Sequence, residues 1–127
     1  MFENLDILRT AQAMAGHATQ RQNLIAQNVA NADTPGYRGR DLTSFAEAYA
    51  ETSDAGMRST RPGHIGAENA AFTEEVTEDA SAISPDGNSV SLEDEMVKSV
   101  DVQREHNLAL TIYKTSLNIL RSSIGGA

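Results

Sequence analysis

The chain has 127 residues, room for one compact unit and no more. Leu, Ile, Val and Phe together number 25 against 18 alanines, and with a net charge of −8 this sits at the edge of what can close its own core. That composition excludes a large enzyme core around a buried pocket. The absence of Cys excludes a disulfide framework, a thiolate metal site and a Cys nucleophile. With 18 acidic against 10 basic residues, no nucleic-acid partner is expected, because phosphate binding needs clustered Lys and Arg. No apolar run approaches the ~20 residues of a bilayer crossing, so no direct membrane insertion is expected. The start, Met1 to Asp6, carries acids where a cleaved secretory signal carries a basic segment.

The first zone, residues 1–30, predicts one long helix. Ile7, Ala11, Met14, Ala18 and Ile25 recur on a single helical face, among helix-tolerant Ala, Gln and Arg. The rest of that surface is rich in amides, which can meet neighbouring protein without burying net charge. Residues 31–90 change character, with six glycines, all three prolines and few large apolar side chains after Thr52, and read as an irregular arm. A short helix is predicted inside it, from Leu42, Phe45, Ala46 and Tyr49 with Asp41 as the cap. From Pro62 to Val97 there are nine acids and no Lys or Arg, so the acidity belongs to the middle.

The last zone, residues 91–127, predicts a second long helix. Leu92, Met96, Val100, Gln103, His106, Leu110, Tyr113, Leu117, Leu120 and Ile124 advance 32 residues in nine steps, close to the helical and coiled-coil periods. Ser91 with Asp94 resembles a capping box, and Gly125-Gly126 closes the end. A stripe that long needs a partner helix. The expected fold is therefore mainly α: long N- and C-terminal helices packed as an antiparallel, coiled-coil-like pair, joined by an irregular Gly/Pro-containing arm. Leu92, Met96, Val100, Leu110, Tyr113, Leu117, Leu120 and Ile124 are its expected packing residues.

Chemical motifs are sparse. His17, His64 and His106 each lack a second ligand at helical spacing and read as surface or packed histidines. Asp86-Gly87-Asn88 lacks the preceding ligands of a calcium loop and reads as a plain turn. Glu74 and Glu75 read as a solvated face. No phosphate loop, nucleophile elbow or HExxH is present, so no catalysis, no metal and no cofactor is expected. The sharpest local feature is Asn28-Val29-Ala30-Asn31-Ala32-Asp33-Thr34-Pro35-Gly36-Tyr37. It reads as a helix stop, with Asn31 entering the left-handed region, followed by a type II turn with Pro35 at i+1 and Gly36 at i+2.

The segment from Asn28 to Tyr37 closely resembles the signature of the flagellar basal-body rod family. Arg38-Gly39-Arg40-Asp41, Thr60 with His64-Ile65, and the run from Asp86 to Met96 resemble its short proximal-rod members. The resemblance implies a structural subunit of the bacterial flagellar rod that polymerises through its terminal helices into the drive shaft and export channel. It implies residues 1–30 as an N-terminal axial helix, 31–90 as signature turn and arm, and 91–127 as a C-terminal axial helix. Asn28, Asn31, Thr34, Pro35, Gly36 and Tyr37 would form the assembly motif. Its implied partners are further copies, other rod proteins, and the membrane-ring and export-gate proteins at the rod base. Its implied location is the basal body, reached without a cleaved signal peptide. The alternative from another class is a small acidic helical cytoplasmic regulator or export chaperone, which leaves the Pro-Gly turn and Gly-rich arm unexplained.

Overall fold

The computed structural model describes residues 2–54, 76–78 and 83–126. His64, Thr60, Ile65, Glu74 and Glu75 lie outside the described residues. In chain order the elements are α1 (Phe2–Ala30), β1 (Arg40–Leu42), α2 (Phe45–Asp54), β2 (Val76–Glu78) and α3 (Leu92–Gly125). Helices α1 and α3, of 29 and 34 residues, pack along each other and form the body of the molecule. The fold is thus the mainly α pair that the two apolar periodicities require.

The start of α3 follows the expected capping box. Ser91 is extended, its Oγ accepts from the Asp94 N–H at 3.5 Å, and Glu93, Asp94 and Glu95 fill the first turn, where acids oppose the positive end of the helix dipole. Gly126 follows as the C-cap. The short helix α2 is present but starts later than expected. Leu42 belongs to β1, and Ser44 takes the cap that Asp41 was expected to hold, its Oγ accepting from Glu47 N–H at 3.4 Å. Asp41 is unavailable because both carboxylate oxygens are engaged by other groups. The arm also contains a two-stranded antiparallel ribbon, with Arg40 opposite Glu78, Asp41 opposite Thr77 and Leu42 opposite Val76. Three-residue strands without alternating apolar residues leave no periodic signal, which is why the sequence predicts a short helix in the arm but no strand.

The seam between the long helices differs from the expected one. On α1 the buried apolar residues are Ala11, Ala18 and Ile25, three of the five expected, with His17 and Asn28 buried beside them. Met14 is half-buried and Ile7 is exposed. On α3 the buried residues are Glu95, Val102, Ala109 and Ser116, each seven after the last, the spacing of a left-handed coiled-coil seam. The large apolar stripe lies beside this seam. Met96, Leu110 and Leu117 each directly follow a seam residue, and one residue is a turn of about 100° around a helix. Leu92, Met96, Val100, Leu110 and Ile124 are exposed, Met96 by 69% and Ile124 by 76%, while Tyr113, Leu117 and Leu120 are half-buried. Four of these seven seam residues are Ala or Ser, and the Leu and Met side chains of α3 lie on its flank and outer side.

Candidate functional site: signature clasp and exposed helix faces

The signature begins inside α1. Asn28 is fully buried and its carboxamide acts as a short pseudo-strand against Arg40: Oδ1 accepts from the Arg40 N–H at 3.0 Å, and Nδ2 donates to the Arg40 carbonyl at 2.7 Å. The Tyr37 hydroxyl donates to the same Oδ1 at 3.2 Å. One side chain therefore folds the chain back onto the helix it has just left. The helix stop is made without a left-handed Asn31: among the described residues no non-glycine has positive φ. Instead the last turn tightens, with Asn31 N–H bonding to the carbonyls of Gln27 and Asn28 at 3.1 and 3.2 Å, and Ala32 N–H to Val29 at 3.3 Å. The Asn31 side chain turns back to the Gln27 carbonyl at 2.8 Å.

The Pro-Gly turn forms as its chemistry requires. Tyr37 N–H donates to the Thr34 carbonyl at 3.2 Å and Gly36 has φ +73°, the left-handed value of position i+2. Asn31 and Tyr37 are half-buried, whereas Thr34, Pro35 and Gly36 are exposed.

What closes this loop comes from the other end of the arm. Ser84-Pro85-Asp86-Gly87 makes a second turn, Gly87 N–H donating to the Ser84 carbonyl at 2.8 Å with Gly87 at φ +83°. The two left-handed glycines face each other, since a Cβ on Gly87 would stand 3.4 Å from the Gly36 Cα. Asn88 is buried between them and the end of α1. Its Nδ2 sits 2.9, 2.8 and 2.9 Å from the carbonyl oxygens of Asn31, Ala32 and Thr34, so its two N–H donors are shared among three acceptors of the loop that follows α1. Its Oδ1 accepts from Val90 N–H at 2.8 Å. Backbone bonds complete the join: Gly36 N–H to Asp86 O and Ser89 N–H to Tyr37 O, both 3.0 Å, with Gly39 N–H donating to Ser89 Oγ at 2.8 Å. The expected motif residues thus meet a second segment, Asp86 to Ser89, which read as a plain turn. The sequence marks only a turn at Asp86-Gly87; the role of Asn88 follows from its burial, where a carboxamide serves carbonyls and N–H groups together.

An ion-pair cluster ties α1, β1 and α3 together below the clasp. Arg21 Nε and Nη2 donate to the Asp41 carboxylate at 2.9 and 3.2 Å, a bidentate pair, and Leu42 N–H adds a third bond at 2.8 Å. Lys98 Nζ lies 3.7 Å from Asp41 and 3.4 Å from Glu95. The hydrogen bond to Asp41 holds the Arg21 guanidinium above its ordinary pKa, helped by the charges of Asp41, Glu105 and Asp101 and opposed by burial. A raised cation pKa contributes stability in full below the ordinary arginine value and loses it only above the raised one, so Arg21 adds no pH dependence near neutrality. Nearby, His17 is packed as a core histidine: Nε2 donates to the Thr43 carbonyl at 2.7 Å and the ring meets Phe45 edge-on at 5.7 Å. His106 borders a groove of about 370 Å³ between the helices, together with Gln22, Asn23 and Gln103. No group of three metal-ligating side chains occurs among the described residues.

Two interlocked loops, a pair of long helices and large apolar side chains left on their outer faces define an assembly subunit. Comparison with known proteins specifies which. Residues 8–38 match the family described as flagella basal body rod protein. The chain is 30% identical over 119 residues to the flagellar basal body rod protein FlgB of Agrobacterium fabrum, covering 90% of this chain and 89% of that one. It is 32% identical to FlgB of Escherichia coli K12, covering 96% and 99%, and 35% identical to FlgB of Cereibacter sphaeroides, covering 91% and 85%. The chain belongs to the FlgB family of flagellar basal body rod proteins. It is accordingly a structural rod subunit and not an enzyme, and the cytoplasmic regulator or chaperone reading is set aside. No helix among the described residues is long and apolar enough to cross a membrane.

Proposed function

We propose that this subunit enters the proximal rod through the outer faces of α1 and α3, packing against further copies and other rod proteins, with the signature loop directing the arm toward neighbours. The membrane-ring and export-gate proteins at the rod base are the proposed partners of the same faces and arm. The observation that supports this reading is the inversion of side-chain size along α3. Its seam is Glu95, Val102, Ala109 and Ser116, without a Leu, Ile, Met or aromatic residue, while Leu92, Met96, Val97, Val100, Leu108, Leu110, Ile119 and Ile124 are exposed. So many exposed large apolar side chains on one helix mark interaction faces, and a partner would remove them from water at roughly 25 cal/mol per Å².

Leu110→Asp tests the proposal. Position 110 is exposed in the isolated chain, so the substitution leaves the helix pair intact, but in the packed rod its carboxylate would be buried without a partner. The expected result is protein that is made and exported yet absent from purified basal bodies, compared by immunoblot of both fractions. Normal incorporation would refute the packing face.

A further inference from the structure

We infer that the Asn28–Asn88 clasp is a register lock for the α1–α3 pair, and that without it the helices occupy a second alignment one heptad away. The inference rests on the fold and is independent of how subunits pack in the rod.

The seam itself discriminates poorly between alignments. Its residues repeat every seven positions on both helices, Ala11, Ala18 and Ile25 against Glu95, Val102, Ala109 and Ser116. α3 supplies one more position than α1, so a slide of one heptad, about 10.5 Å, again sets seam positions against seam positions, and four of the seven side chains involved are Ala or Ser. Small side chains make shallow knobs, and shallow knobs resist sliding weakly. The clasp resists it strongly. It joins residues 31–39, directly after α1, to residues 84–90, directly before α3, through Asn88, Gly36, Ser89 and Gly39. Only three residue steps separate Ser89 from Leu92, at most about 10–11 Å of chain. Ser91 is already extended, at φ −105° and ψ 118°, so this connection holds no slack. A heptad slide must therefore break the clasp or unwind two turns of α3. The Arg21–Asp41–Lys98 cluster supports the same alignment but is partly solvated and weakened by salt.

The chain has no Cys, so paired spin labels at Gln20→Cys and Asn118→Cys, both exposed and far apart along the pair, report the alignment of the full chain directly. The parent chain is expected to show one interlabel distance. Asn88→Ala, measured at raised salt, is expected to add a second population displaced by roughly 10 Å. Asn88→Asp, which keeps the volume but loses both donors, is expected to do the same. A single unshifted distance in both variants would overturn the inference. So would loss of any defined distance together with loss of helicity, because the clasp would then be needed for folding and not for register.

Discussion

Gly36 shows how one residue sets the geometry of the signature. Its φ of +73° is a conformation that L side chains rarely adopt, yet no atom stands within 4 Å of where a Cβ would be. The cost of substitution is therefore backbone strain alone, roughly 1–3 kcal/mol for a β-branched residue. Gly36→Val is expected to lower the melting temperature and impair rod incorporation, whereas Gly36→Asn, which tolerates the left-handed region, recovers most of both. Gly39 is the contrast: it is buried with no positive φ, and a Cβ would touch Val90 Cγ2 at 3.4 Å and Ser89 Oγ at 3.6 Å. Gly39→Ala is expected to cost less than Gly36→Val. Equal melting temperatures for parent and Gly36→Val would mean that the turn does not depend on the glycine.

At the scale of the elements, the position of the seam decides which substitutions disturb the chain itself. Ser116 is only 7% exposed and faces α1, while its neighbour Leu117 is half-buried on the flank. The sequence periodicity ranks these the other way, with Ser116 off the packing face. On the structure, Ser116→Asp places an unpaired carboxylate in the helix interface and is expected to destabilise the isolated chain by about 1–3 kcal/mol. Leu117→Asp is expected to spare the isolated chain more and to act mainly on incorporation. Denaturant unfolding of the two variants checks this, and a larger loss of stability for Leu117→Asp would restore the large apolar stripe as the seam.

For the whole molecule, the pair of helices buries few large side chains and exposes many. The parts of the helices outside the seam should then gain helicity on association, because isolated helices gain most of their stability from burying an apolar face. Circular dichroism of the purified chain is expected to show helix content that rises with protein concentration, in step with the mass seen by sedimentation. A sharp, concentration-independent melt of a fully helical monomer would contradict this.

The long helices were legible in the sequence because a 3.6-residue period, a capping box and terminal glycines are local signals carried by consecutive residues. The Pro35-Gly36 turn was legible for the same reason, since each residue restricts its own backbone. The family was legible in Asn28 to Tyr37. What the periodicity could not supply was the choice of face. Large side chains define the strongest apolar stripe on α3, but the closest approach of two helices favours Ala18, Val102, Ala109 and Ser116, and that preference exists only once both backbones are in place. The partner of the signature was equally out of reach. Asn28 and Asn88 are 60 positions apart, and nothing local to Asp86-Gly87-Asn88 states that its carboxamide will close the carbonyls at the end of α1. Local conformation and apolar period were thus written along the chain, while seam, ion cluster and clasp are non-local contacts that only the tertiary structure decided.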